Sequence, residues 1–177
     1  MRYIQMRLRL ALFILASIAM PAVSMAAQKI AVYPFELDIP ATEEDFFSGA
    51  KKASPEEEER LIRAHAELER LLKADGRYES VDLASLKDEI AKAQPLSACI
   101  ECDVDIAKKA GAELALTTIV NKISETHLNL IVSIRNVATG AMVRTMQVVV
   151  QGNTDDTWLH GVRWLLKNRL LAQEVNK

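Results

Sequence analysis

The 177-residue chain sets 22 Lys and Arg against 24 Asp and Glu, a net charge of −2 with no basic cluster. That balance argues against nucleic-acid binding, which needs clustered cations to neutralise phosphates, and gives weak attraction to anionic lipid heads. Half of the residues are hydrophobic, and the length suits one ordinary domain with a real core.

Arg2, Arg7 and Arg9 make a basic start without acids, Leu10 to Met20 is apolar, and Pro21 closes the run. Ser24-Met25-Ala26 places small residues three and one before a cut after Ala26. This is the layout of a secretory signal peptide over residues 1–26. The apolar run is shorter than the roughly 20 residues that span a bilayer. Cleavage leaves a single domain over 27–177 and moves the net charge from −2 to −5, since three arginines leave and no acid does. The expectation is a periplasmic protein with no stable membrane insertion after signal cleavage.

Gln28 to Phe35 predicts a first strand, with pairing weakened at Pro34. Glu36 to Ser54 lacks helical period and predicts a long acidic loop that carries Phe46-Phe47. Ser54-Pro55-Glu56-Glu57 is an N-cap, a proline at the first helical position and a capping-box glutamate. The helix it opens puts Leu61, Ala64, His65, Leu68, Leu71 and Leu72 on one face and stops at Gly76. Glu56 to Glu59 reads as a solvated first turn that complements the helix dipole.

Tyr78 to Val81 predicts a short strand, and Asp82 begins a second helix that ends at Gln94-Pro95. Asp103 to Ala110 predicts a short helix stopped at Gly111. Three strands follow near Glu113–Ile123, His127–Val137 and Ala141–Gln151, the middle one alternating apolar and polar residues as a half-buried strand does. Gly152-Asn153-Thr154 caps a last helix whose buried stripe starts at Trp158, a structural anchor. The order β-α-β-α-α-β-β-β-α implies an α/β (α+β) domain, its mixed sheet ending in an antiparallel meander covered by helices. Helices from both ends can cover one sheet face.

Cys99-Ile100-Glu101-Cys102 is the one motif with redox potential. A helix N-terminus lowers a thiol pKa, but Glu101, Asp103 and Asp105 oppose a thiolate. An oxidising compartment favours a structural disulfide. A zinc site would need partners from His65, His127 and His160, and zinc signatures normally carry a second close pair, so no metal and no cofactor are expected. No glycine-flanked nucleophile, phosphate loop or His-Glu-x-x-His is present, so no catalytic residue is assigned. Glu36, Asp38, Phe46 and Phe47 around the long loop, with Asn153, Thr154 and Asp155 at the last cap, are the candidate contacts for a partner or small ligand.

Lys29-Ile30-Ala31-Val32-Tyr33-Pro34-Phe35-Glu36-Leu37-Asp38, the C-x-x-C pair, Ile106-Ala107-Lys108-Lys109-Ala110-Gly111-Ala112 and Gly152-Asn153-Thr154-Asp155-x-x-Trp158 together resemble a family of exported bacterial proteins known only as a domain of unknown function. The chain departs from that pattern at Ile39-Pro40-Ala41, where the family would carry Asp-Thr-Ser. The element order is more distantly similar to the N-terminal domain of TolB and to α/β domains of envelope-assembly lipoproteins, a resemblance that implies a periplasmic interaction module. The expected function is a non-catalytic accessory module with an envelope protein partner. The alternatives are a thiol-active protein using Cys99 and Cys102, or a small-ligand or metal binder.

Overall fold

A computed structural model describes residues 26–41 and 52–172. The segment up to Met25, expected to be a signal peptide, and the Phe46-Phe47 pair lie outside the described residues. The first strand, β1 (Gln28–Val32), lies in the sheet interior. Ile30 and Ala31, one on each face, are both fully buried, which is how a strand covered on two sides reads. Its ladder breaks at Pro34, which has no N–H to donate. Tyr33 makes the last bond, its N–H donating to the carbonyl of Leu116 at 3.0 Å.

Beyond the break the chain re-enters the sheet as β2 (Glu36–Asp38), which runs beside Ile119 to Asn121. The sequence pattern therefore misplaces two boundaries. The first strand ends before Phe35, and Glu36 opens a second strand rather than the long loop. Both strands lean on β4 (Leu114–Lys122), which is long enough to pair with one after the other. The helix α1 (Pro55–Asp75) follows with the expected capping box at Ser54 and a left-handed Gly76 at its end. Then come β3 (Tyr78–Ser80), a 3-10 turn at Ala84–Leu86, α2 (Lys87–Ala93) and α3 (Cys102–Lys109). β4 leads into β5 (His127–Asn136), β6 (Met142–Gln151) and α4 (Asp155–Leu165).

The result is a mixed six-stranded sheet ordered β3-β1-β4-β5-β6, with β2 on the same side of β4 as β1. Pairing is parallel from β3 through β4 and antiparallel from β4 through β6. As anticipated, the first and last helices share a face. Leu68 and Leu72 of α1 and Trp158, Val162 and Leu165 of α4 pack on Leu116, Leu130 and Val132. The middle helices take the opposite face, where Ile90, Val104 and Ala107 pack on Ala31, Tyr33 and Ala115. Each fully buried Leu or Val contributes about 1.5–3 kcal/mol relative to exposure, so this double layer carries the fold. No helix among the described residues is long and apolar enough to cross a membrane.

Candidate functional site

The sheet geometry brings the N-termini of α1 and α4 together beside the carboxyl end of β4. At their junction sits Asn153, one residue before the cap of α4. Its Oδ1 accepts from the Trp158 indole Nε1 at 2.9 Å and from Arg60 Nη1 at 3.3 Å, and its Nδ2 donates to Glu57 Oε1 at 2.8 Å. Asp155 pairs with Arg60 at 3.1 Å and with Arg63. Thr154 is the N-cap, its hydroxyl accepting from the backbone N–H of Thr157. Trp158 is buried. The motif from Gly152 to Trp158 is thus a clamp between two helices, and both ends of the Asn153 amide are in use.

Glu57 corrects the reading of Glu56 to Glu59 as a solvated turn: it is only 3% exposed. Its carboxylate closes the capping box on the Ser54 backbone at 2.9 Å and meets Lys122 Nζ at 2.8 Å. Lys122 also reaches Glu125 at 2.7 Å. Burial pushes the Glu57 carboxyl up, but hydrogen bonds from Lys122, the Ser54 backbone and Asn153, with the Lys122 charge, outweigh it and leave the group below its usual range. Burial pulls the Lys122 amine down, and its bonds to Glu125 and Glu57 more than reverse that. Both shifts favour the ion pair. A cavity of about 480 Å³ opens beside it, lined by Ile39, Pro40, Lys52, Lys122, Glu125 and Asn153 among others.

The other expected contacts fall elsewhere. Glu36 accepts from the backbone N–H groups of Leu96 at 2.6 Å and Ser97 at 3.3 Å, closing the turn before α3. Asp38 accepts from Asn121 Nδ2 at 2.6 Å across the β2–β4 pair. Cys99 and Cys102 are within disulfide distance, their Cα atoms 5.7 Å apart. Their acidic surroundings are already committed. Asp103, buried, pairs with Arg135 Nη1 at 2.9 Å, and its backbone carbonyl accepts from the Tyr33 hydroxyl at 2.5 Å. Burial first, then the Asp103 charge, push the Tyr33 hydroxyl well above its usual range. His65, His127 and His160 sit on α1, β5 and α4. Among the described residues no three His, Cys, Asp or Glu are grouped to hold a metal.

The sequence reading missed Glu57, Arg60, Lys122 and Arg135. The first two reach partners more than ninety residues away, which no local spacing reveals. The one available signal was Glu57 itself, a capping-box residue whose second oxygen remained to be placed.

The family model for proteins of unknown function (DUF2380) matches residues 28–170. The chain belongs to that family. The match spans every strand and helix described above, so the shared unit is the whole sheet with both helical layers. No curated protein matches the sequence. Among solved structures, the fold is similar to lipoprotein GNA1162 from Neisseria meningitidis, at 12% identity and a TM-score of 0.50, over 86% of this chain and 100% of that one. The PelC dodecamer from Paraburkholderia phytofirmans aligns at 14% identity and a TM-score of 0.49, over 84% and 91% of the two chains. The LpoB C-terminal domain from Salmonella enterica aligns at 16% and 0.46, over 74% and 87%. At these identities the likeness concerns the fold alone.

Proposed function

We propose that this chain is an exported accessory module of the bacterial envelope, cut after Ala26, which acts by binding a protein partner and performs no chemistry of its own. One observation carries the reading: the polar residues that stand out in the sequence are spent on holding the fold. Asn153 and Asp155 lock α1 to α4, Glu36 closes a turn, and the two cysteines are paired with one another. A site poised for acid–base or nucleophilic work keeps its groups aimed at open space, and here they are aimed at each other. The basic n-region, apolar run and small residues before Ala27 support export.

The test combines osmotic-shock fractionation, N-terminal sequencing and in-cell crosslinking with identification of the captured protein. A mature start at Ala27 in the shock fluid, with a reproducible crosslink to one envelope protein, is the expected result. Intact Met1 in the membrane fraction, or a disulfide-exchange activity lost in the C99S/C102S variant, overturns the proposal.

A further inference from the structure

At the carboxyl ends of β1 and β3 the chain parts to opposite sides of the sheet. The two strands lie side by side and parallel. From β1 and its continuation β2 the chain goes on to α1, which packs on the face that holds Leu116 and Leu130. From β3 it goes on to α2, whose Ile90 packs on the other face with Ala31 and Tyr33. In open sheets the crevice between neighbouring parallel strands that part in this way is where ligands bind. A cavity of about 470 Å³ lies at that point, walled by His65 and Glu69 of α1, Lys87 and Ile90 of α2, and the strand ends between them.

The charges on its walls are not paired with one another. His65 Nε2 lies 3.6 Å from Glu69 Oε2, one turn further along α1, and the ring meets Phe35 edge-on with centroids 5.9 Å apart. Burial, the larger effect, pulls the imidazole below its usual range, against the Glu69 charge that pulls it up. The ring is therefore uncharged at neutral pH, and the half-exposed Glu69 carboxylate has no cation. Asp82 Oδ1 accepts from the Ala84 backbone N–H at 2.8 Å, which occupies a lone pair and leaves the charge in place. Lys87 is exposed and forms an ion pair with neither carboxylate. The lining thus holds two carboxylates against one ammonium, and the remainder is largely apolar, with Val32, Pro34, Val81 and Leu83. His65, Glu69 and Asp82 do not close into a group that could hold a metal. The net negative charge and the apolar walls together fit an organic cation.

We propose that this crevice binds a small aliphatic amine, its ammonium drawn by Glu69 and Asp82 and its hydrocarbon body laid on Val32, Leu83 and Ile90. The inference goes beyond the partner-binding reading and does not rest on it. Acid weakens the site, because a protonated His65 takes Glu69 for itself and repels the ammonium. The other groups around the ring are Asp82 after β3, Lys87 on α2 and, without charge, Phe35 and the Tyr33 carbonyl. By the same coupling, a bound amine offsets the Glu69 charge and lowers the His65 pKa further.

The test titrates the purified protein with hexylammonium, using hexanoate and hexanol as anionic and neutral controls of the same length, and follows amide and His65 ring NMR signals. Hexylammonium should bind saturably and about tenfold tighter than either control at low salt. Amide shifts should cluster at Val32 and from Ser80 to Lys87. Glu69→Gln should weaken the amine about tenfold through loss of a charge-assisted bond, and Lys87→Glu should tighten it by a similar factor. Both positions are solvent-accessible on helices, so each variant checks the other should one fold poorly. The His65 pKa should fall on binding, and affinity should drop as pH passes down through it. Lack of saturable binding, equal or tighter binding of hexanoate or hexanol, shifts that cluster elsewhere, or an affinity indifferent to both substitutions overturns the proposal.

Discussion

At Gly161 a single missing methyl sets the distance between α4 and β6. Its obstacle, the Cγ2 of Val150, belongs to a stiff β-branched side chain. Alanine would gain about 1 kcal/mol of helix propensity but overpack at a cost of about 1–3 kcal/mol. Gly161→Ala is therefore expected to be destabilising by up to about 2 kcal/mol net, seen as a lower urea midpoint at unchanged slope. Asn153 makes the complementary case. Asn153→Ala strips a donor from a buried carboxylate and an acceptor from a buried indole, and a hydrogen bond to a charged group contributes about 1.5–3 kcal/mol. A loss of about 3 kcal/mol in chemical denaturation is expected; an unchanged midpoint would show that Asn153 is not a structural clamp.

The element that depends most on its surroundings is α3. It is eight residues long, too short to stand alone in water. Three ties hold it: the Cys99–Cys102 pair at its start, the Asp103–Arg135 ion pair and the Tyr33 hydroxyl bond. The loop that the cysteines close is so small that its entropic effect is about 2 kcal/mol at most. Breaking the ion pair should matter more, because Arg135→Ala leaves Asp103 buried without its cation; such losses cost about 3 kcal/mol or more. The expected ranking is R135A below C99S/C102S in melting temperature. The reverse order would mean that the cysteines, and not the charge pair, anchor the segment.

For the molecule as a whole, acid stability follows from carboxylates that tie α1 to its neighbours. Glu57 is held low as described above. Glu67 is brought down to about 2, first by its bonds to Arg70 and then by Arg163, which reaches it from α4 at 2.6 Å. A carboxyl whose pKa is depressed by folding stabilises the native state above its unfolded value, and that contribution fades as pH falls towards the folded one. Stability should therefore stay level around neutrality and decline below about pH 4.5, where unfolded carboxylates begin to take up protons. Glu67→Gln should flatten that decline. A variant with the full acid sensitivity of the parent would remove Glu67 from the account.

The amphipathic stripe of α1, the alternation of β5 and the caps at Ser54 and Thr154 were legible in the sequence because they depend on neighbours three or four residues away, or on period two. The mixed sheet and the family resemblance rest on those local signals. The break at Pro34 was also visible, but not that β2 would resume beyond it, because that depends on β4 being long enough to pair with both strands. The roles of Asn153, Asp155 and Glu57 were set only when the sheet brought two helix starts together, with partners more than ninety residues away. Sequence fixes what a residue can do within one turn or one strand. Which donor meets which acceptor across the chain, and which strand is left at the edge, is decided by packing.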